Sequence, residues 1–222
     1  MSDKAQNREV SLDSLFSGRL DCYQYENGYR FSIDSVLVSH FVSMKPGELI
    51  LDIGSGCGII GLIILYRHGN VVLKVTGLEK QGDLVSIGRK NIAINHFDKN
   101  FDMIEGDATE VKNLFRAETF SVVISNPPFF QQHSGRLSRD DESRAARHQE
   151  EATLETFIHA AAYCLRNRGR FATIYPAGSL TELLLALKKK NRRGYVLSIH
   201  TQNTPSVQNL SSWKELKTVG KG

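Results

Sequence analysis

Apolar runs of strand length alternate with segments of helical periodicity along most of this chain. Nearly continuous apolar residues in Gly47–Gly54 predict a first strand that is buried on both faces. The later apolar runs predict further strands at Val71–Glu79, Asp102–Asp107, Phe120–Pro128, Arg170–Pro176 and Gly194–His200. Strands that alternate with helices over short links predict right-handed crossovers and a parallel sheet. We therefore expect an α/β fold with a mostly parallel sheet flanked by helices.

Helical periodicity fills the intervals between these strands. It starts at Ile59, again at Gly82, and a third time over Thr153–Gly169, where apolar side chains recur along one face. Gly169 is expected to cap the C-terminal end of the third helix. Ligands of such folds bind beyond the carboxyl ends of the strands. Residues that follow each predicted strand are therefore the candidates for a functional site.

Length and composition favour one domain. With 222 residues, of which 41% are hydrophobic, the chain can bury one substantial core, which we assign to residues 1–200. Residues 201–222 show neither alternation nor an apolar run, and we expect an irregular tail. Our hypothesis is that this tail is a truncated or frame-shifted end that leaves the sheet edge incomplete.

Membrane-spanning runs, a secretory signal and paired cysteines are the patterns that bear on cellular location and on metal binding. Apolar runs stay shorter than the roughly 18–20 residues that span a bilayer, and the N-terminus has no secretory signal pattern. The three cysteines, Cys22, Cys57 and Cys164, lie far apart and form no CxxC pair. We expect a cytoplasmic protein with free thiols and no metal.

Charge is distributed unevenly along the chain. From Gly135 to the end there are 15 Lys and Arg against 8 Asp and Glu, whereas the preceding part holds 13 against 16. A basic C-terminal part beside an acidic N-terminal part suits a polyanion that docks next to a small-molecule pocket. An ordinary solvated basic face has the same composition, so charge alone leaves both interpretations open.

The segment Leu51–Leu62 combines a strand, a glycine loop and a helix. Gly54, Gly56 and Gly58 permit a tight turn and a close approach of the backbone to a ligand. Dinucleotide enzymes use a related loop, but their fingerprint usually has an apolar residue where this chain has Asp52. A carboxylate at that position suits the cationic amino-acid end of S-adenosylmethionine better than a pyrophosphate. The loop, including Ser55, is thus a candidate site for that cofactor.

Two more acidic residues follow the next two strands. Glu79 can accept hydrogen bonds from both hydroxyls of a ribose. Asp107, followed by Ala108, is placed to bind the amino group of an adenine, although it can equally cap a helix. Together with Asp52, these carboxylates arrive at three successive strand ends and favour a nucleoside-containing cofactor.

The fourth strand ends at Ser125–Phe129, with the sequence SNPPF. The two prolines cannot continue a strand and fix an extended turn. An exocyclic amine of a base is a poor nucleophile because its lone pair is delocalised into the ring. The Asn126 side-chain oxygen and the Pro127 carbonyl can accept hydrogen bonds from both amine N–H groups and so free that lone pair. Phe129 offers a stacking face to the base. Transfer of a methyl group to such an amine is the chemistry that this motif favours.

With the glycine loop and SNPPF both in place, the chain resembles class I S-adenosylmethionine-dependent methyltransferases of the amino-methylating group, from about Tyr23 to Lys190. The resemblance implies a Rossmann-like fold with a sheet of the seven-stranded type. More narrowly, Tyr25–Phe41 resembles the bacterial tRNA adenine-N6 methyltransferases that modify an adenine beside the anticodon of a valine tRNA. This implies that residues 1–45 form a segment over the cofactor and substrate, and that RNA, in particular tRNA, is the partner.

The same resemblance adds two groups of residues to the expected site. Arg30 and Asp34 are expected to line or close the pocket, Arg30 toward the substrate and Asp34 toward the cofactor. The stretch Glu142–Glu150 is expected to lie over the active site. There its basic residues would meet RNA phosphates: Arg144, Arg147 and His148.

Several other functions remain open at this point. Phe129 stands where the adenine enzymes usually carry Tyr, and Phe is commoner in relatives that methylate guanine N2 of ribosomal RNA. Methylation of a protein glutamine uses the same NPP chemistry, but those enzymes carry a helical N-terminal domain for which the some 45 residues before the first strand are too few. DNA adenine methylation usually requires a target-recognition domain, of which the sequence shows no sign. A catalytically idle RNA-binding module is the non-enzymatic alternative.

Overall fold

The computed structural model describes residues 8–28, 30–128, 153–176, 179–188 and 195–200. Eight strands lie in these ranges: Val10–Leu15 (β1), Leu20–Tyr25 (β2), Glu48–Ile53 (β3), Leu73–Glu79 (β4), Phe101–Glu105 (β5), Phe120–Ser125 (β6), Leu165–Pro176 (β7) and Tyr195–His200 (β8). The last six form one sheet in the order β5-β4-β3-β6-β7-β8, and every neighbouring pair is parallel. The predicted α/β class and the parallel sheet are confirmed.

Helices cover both faces of this sheet. They span Ile33–Phe41 (α1), Ile59–Arg67 (α2), Gly82–Ile94 (α3), Val111–Leu114 (α4), 153–164 (α5) and Leu180–Lys188 (α6). Alternate strand residues point to opposite faces, so Ile50 packs in a core with α1, α2 and α3, whereas Leu51 packs in a second core with α5 and α6. Burial on both faces explains why the central strands are apolar almost throughout. The thiols of Cys22, Cys57 and Cys164 are free and buried.

An antiparallel hairpin of β1 and β2 precedes the main sheet, and the sequence analysis did not predict it. Its turn places Phe16, Ser17 and Gly18 in succession at positive φ, of 53°, 58° and 79°. Asn91 of α3 anchors the second strand, since its Oδ1 accepts from the Tyr23 N–H at 2.7 Å and its Nδ2 donates to the Tyr23 carbonyl at 3.0 Å. The hairpin is therefore docked on the main domain by specific polar contacts.

The third predicted helix is shorter than expected. It ends at residue 164, and Leu165 already pairs with Phe120 as the start of β7. The prediction that this helix continues to a Gly169 cap is therefore wrong. Leu165 is buried, and pairing with the neighbouring strand stabilises it in an extended conformation although its spacing also suits a helix face.

Residues 201–222, which we predicted to form an irregular tail, lie outside the described residues. In the part of the chain that the structure describes, no helix combines the length and the apolar character needed to cross a bilayer.

Candidate active site

A cavity of about 470 Å³ opens at the carboxyl ends of β3, β4 and β6. Its volume lies within the range of roughly 300–1,000 Å³ that is usual for small-molecule sites. Six residues that we predicted to bind a cofactor line it: Gly54, Gly56, Glu79, Asp107, Ala108 and Asn126. The topology thus brings together residues that are up to 72 positions apart in the sequence, because parallel strands end at one edge of the sheet.

The glycine loop forms one wall of this cavity. Gly54, Gly56 and Gly58 have φ values of 73°, 57° and 85°, where a residue with a Cβ would be strained. A Cβ on Gly54 would also lie only 2.9 Å from the ring of Phe157 in α5. Glycine at position 54 is therefore required both by the backbone conformation and by the space beside it.

Glu79 connects the end of β4 to this loop. Its Oε2 accepts a hydrogen bond from the Gly56 N–H at 3.0 Å, and its Oε1 accepts from the Gln81 N–H at 3.0 Å. An ionised carboxylate offers about four acceptor positions, so both oxygens retain capacity for hydroxyl donors from a ligand. Glu79 is buried and still lines the cavity, which suits both holding the loop and binding a ligand.

Asp52 lies beneath the loop and does not line the cavity. Its side chain is completely buried, Oδ2 accepts from the Ser55 hydroxyl at 2.9 Å, and Oδ1 has no hydrogen-bond partner among the described residues. Burial raises the pKa of Asp52 to about 7, the Ser55 hydrogen bond opposes this rise, and the neighbouring charge of Glu79 adds to it. The structure connects Asp52 to the site through Ser55, which it holds in the loop.

Asp107 caps the short 3-10 helix Ala108–Glu110 and lines the cavity at the same time. Its Oδ1 accepts from the backbone N–H and from the hydroxyl of Thr109, both at 2.8 Å. These two bonds hold the pKa of Asp107 below its ordinary value, with a smaller contribution from the Lys80 ammonium, which lies 3.7 Å from Oδ2. The capping role therefore uses one oxygen and leaves the other at the mouth of the cavity.

Asn126 follows directly after β6 and faces the cavity. The Ser125 hydroxyl donates to the Ile53 carbonyl at 3.1 Å and holds this strand end against β3. Asn126 Nδ2 donates to the Ser35 hydroxyl at 3.1 Å, whereas Oδ1 is buried without a partner among the described residues. An unpaired buried acceptor costs roughly 1–3 kcal/mol, which a ligand that donates to it would offset.

Other residues of the predicted site lie elsewhere. Gly58 precedes α2 and faces Phe101, and neither it nor Ser55 lines the cavity. Asp34 lies in the first turn of α1, where its N–H and its Oδ2 both bond the Ser32 hydroxyl.

The Arg30 side chain binds to residues of the hairpin. Its guanidinium donates to the Ser11 hydroxyl and to the Tyr25 carbonyl, and it forms an ion pair with Asp13. The remaining predicted substrate-binding residues lie outside the described residues: Phe129, Arg144, Arg147 and His148.

Sequence reasoning missed part of the cavity wall. The additional lining residues include Lys80, Gln81, Leu84, Thr153, Thr156 and Phe157. Lys80 and Gln81 directly follow the end of β4, so the reasoning that selected Glu79 could have selected them too. Phe157 belongs to the helix predicted over Thr153–Gly169, and only the packing of α5 over the sheet brings it against the glycine loop. Within the described ranges, no group of three or more His, Cys, Asp or Glu side chains could hold a metal ion.

Comparison with known proteins agrees with this geometry. The family model of the methyltransferase small domain matches residues 32–190. A tRNA1(Val) (adenine(37)-N6)-methyltransferase from Porphyromonas gingivalis is 31% identical over 173 residues, which cover 75% of this chain and 66% of the relative. The enzyme of the same name from a Flavobacteriaceae bacterium is 27% identical and covers 72% of this chain and 65% of the relative. The match thus spans slightly less than two thirds of the length of these curated relatives.

Solved structures share the fold at low sequence identity. TrmN from Thermus thermophilus superposes with a TM-score of 0.53 at 17% identity and covers 69% of this chain and 40% of that one. A predicted O-methyltransferase from Agrobacterium tumefaciens superposes with a TM-score of 0.55 at 18% identity, covering 76% and 85%. These similarities establish the Rossmann-like architecture of the sheet and its helices.

Proposed function

The chain belongs to the methyltransferase small domain family, and from this premise we propose that it transfers a methyl group from S-adenosylmethionine to an exocyclic base nitrogen in RNA. The nitrogen that we propose is N6 of an adenine in tRNA, the acceptor for which the relatives above are named. The proposal includes a cytoplasmic location, where tRNA is available.

The volume of the cavity and the hydrogen-bond acceptors in its lining suit S-adenosylmethionine. When bound, this cofactor supplies an electrophilic methyl group. Gly54 and Gly56 line the cavity with backbone that carries no side chain, and the free acceptor positions of Glu79 suit ribose hydroxyls. Asp107 Oδ2 is available to an adenine amino group. We propose that Asp52 supports cofactor binding through Ser55.

The observation that carries the proposed chemistry is the buried Oδ1 of Asn126, which has no hydrogen-bond partner among the described residues although Asn126 itself lines the cavity beside the glycine loop. A base amine has two N–H donors and a lone pair that is delocalised into the ring. Oδ1 of Asn126 and the Pro127 carbonyl can each accept a hydrogen bond from one of those N–H groups, which draws the nitrogen toward tetrahedral geometry and frees the lone pair. Asn126 acts by position and polarity, since an amide oxygen is too weak a base to remove the proton.

The test is methyl transfer from labelled S-adenosylmethionine to total RNA from cells that lack the gene, followed by nucleoside analysis. We expect the label in N6-methyladenosine of the tRNA fraction. Label in N2-methylguanosine would move the substrate to guanine, the alternative suggested by Phe129. No label in any RNA would refute the RNA substrate. The Asn126→Ala variant, purified in parallel, controls for contaminating methyltransferases.

A further inference from the structure

A buried serine contacts the side chain on which the proposed chemistry depends. Ser35 lies in the first turn of α1, only 1% exposed, and its hydroxyl accepts the hydrogen bond from Asn126 Nδ2 at 3.1 Å. We propose that Ser35 is a positioning residue that orients the Asn126 amide so that Oδ1 faces the substrate amine. This inference rests on the proposed function, and it extends the site to a helix that precedes the glycine loop in the chain.

Orientation matters because the two ends of an amide have opposite hydrogen-bonding character. Oδ1 only accepts and Nδ2 only donates. The substrate amine presents donors, so an amide turned by 180° would set N–H groups against N–H groups. A contact that holds Nδ2 away from the cavity therefore selects the productive orientation before the substrate arrives.

Rotation of this amide is the main freedom that remains at Asn126. Its backbone is held on one side by the Ser125 hydrogen bond to Ile53 and on the other by Pro127 and Pro128, whose rings fix φ. By contrast, the terminal torsion of an asparagine side chain is intrinsically broad. Among the described residues, the Ser35 hydroxyl is the hydrogen-bond partner of the Asn126 side chain, and this bond restricts the torsion.

Ser35 is itself fixed by the structure of α1. The helix begins at the Ser32 cap, whose hydroxyl accepts from the Asp34 N–H at 3.2 Å. One turn later the Ser39 hydroxyl donates to the Ser35 carbonyl at 2.8 Å, and Arg67 of α2 donates to the Ser39 carbonyl at 2.7 Å. The Arg67 contact docks α1 on the domain, and the burial of Ser35 on this helix keeps its hydroxyl beside Asn126.

The chain offers a matched control in the same helix. Ser39 is fully buried, and among the described residues its hydroxyl bonds to the α1 carbonyls of Ser35 and Val36 and to no other group. We expect Ser35→Ala to lower kcat by about 10- to 100-fold with an unchanged Kd for S-adenosylmethionine. Ser39→Ala should cost similar thermal stability and leave kcat near that of the wild type. Equal kcat values for the two variants would overturn the proposal.

A second readout does not depend on catalysis. In protein labelled with 15N-asparagine, the side-chain amide signal of Asn126 is assigned by its loss in Asn126→Ala. We expect Ser35→Ala to shift this signal and Ser39→Ala to leave it in place. An unmoved signal in Ser35→Ala would refute the positioning role. A shifted signal in a protein whose wild type methylates no RNA would instead sustain the contact and refute the proposed function.

Discussion

Asn126 and Asp52, both at the carboxyl end of the sheet, each leave one buried oxygen without a hydrogen-bond partner among the described residues. In Asn126 that oxygen belongs to a residue that lines the cavity, whereas in Asp52 it lies under the glycine loop. An uncharged amide keeps its acceptor character at every pH, while a buried carboxyl can relieve its burial by taking a proton. The two residues should therefore differ in what their replacement changes, catalysis for Asn126 and stability for Asp52.

For Asn126→Ala we expect loss of methyl transfer with nearly intact cofactor affinity. The substitution removes the oxygen that accepts a hydrogen bond from the substrate amine, and it leaves the Gly54–Gly58 loop and Glu79 unchanged. Calorimetry with S-adenosylmethionine and single-turnover assays with RNA measure the two properties separately. Turnover at the wild-type rate would exclude Asn126 from the mechanism.

For Asp52 we predict a pH-dependent contribution to stability. Because burial raises its pKa from 3.8 to about 7, the folded protein holds this proton more tightly than the unfolded chain. The resulting stability is full below about pH 4 and is lost as the pH rises through 7. Relative to Asp52→Asn, the wild type should lose up to roughly 4 kcal/mol of unfolding free energy between pH 4 and 8, at about 1.4 kcal/mol per pKa unit.

Urea denaturation of both proteins at several pH values measures this difference. Asp102→Asn, which removes an exposed carboxyl of β5, is the control for a general charge effect. Parallel pH profiles for the wild type and Asp52→Asn would contradict the prediction.

At the scale of elements, the central strands were predictable and the hairpin was not. Burial on both faces makes most residues of β3 and β6 apolar, a pattern that favours a buried parallel strand. In β2 the buried face includes Gln24, which bonds Asp13 and the Phe31 N–H, so a polar residue interrupts the alternation. The end of α5 was missed for another reason, since the partner that keeps Leu165 extended, Phe120, is 45 residues away.

The candidate site divides in the same way. Residues at strand ends, such as Glu79 and Asn126, were predictable because the topology of a parallel sheet fixes where they meet. Phe157 and Ser35 were not, because each reaches the site from a helix whose placement depends on tertiary packing.

The glycine loop provides a prediction at this scale. Gly54→Ala combines a left-handed backbone with a clash against Phe157, whereas Gly47→Ala has a similar φ of 78° and open space around the new methyl group. We expect Gly47→Ala to cost about 1–2 kcal/mol of stability and to leave cofactor affinity unchanged. Gly54→Ala should cost more and weaken S-adenosylmethionine binding at least tenfold, as measured by calorimetry. Equal affinity in both variants would show that the packing of Gly54 against Phe157 does not affect cofactor binding.

At the scale of the whole molecule, the sheet separates the site from a polar cluster at its opposite edge. Glu48, at the start of β3, receives two hydrogen bonds from Arg170 of β7, both at 2.6 Å, and a third from the Lys45 N–H. Arg170 also donates to the Ser43 carbonyl. This cluster connects two strands and the α1–β3 connection, so it should support the fold without contributing to the chemistry.

Arg170→Met should therefore destabilise the protein by about 3 kcal/mol, because it leaves Glu48 buried without its cation. Urea denaturation measures this loss, and calorimetry should show an unchanged Kd for S-adenosylmethionine. The double variant Glu48→Gln/Arg170→Met, which leaves no buried charge, should recover part of the stability. A weaker cofactor affinity in either variant would mean that the two edges of the sheet are not independent.

The Asn91 side chain couples the docked hairpin thermodynamically to the glycine loop. The side-chain amide that bonds Tyr23 of β2 also donates to the Cys57 carbonyl in the glycine loop, at 3.0 Å. One buried group thus serves two elements, and ordering either of them lowers the entropic cost of ordering the other. Coupling free energies are reciprocal. If cofactor binding orders the glycine loop, it also stabilises the docked position of the hairpin. A molecule that holds the hairpin in this position then raises the affinity for the cofactor by the same factor.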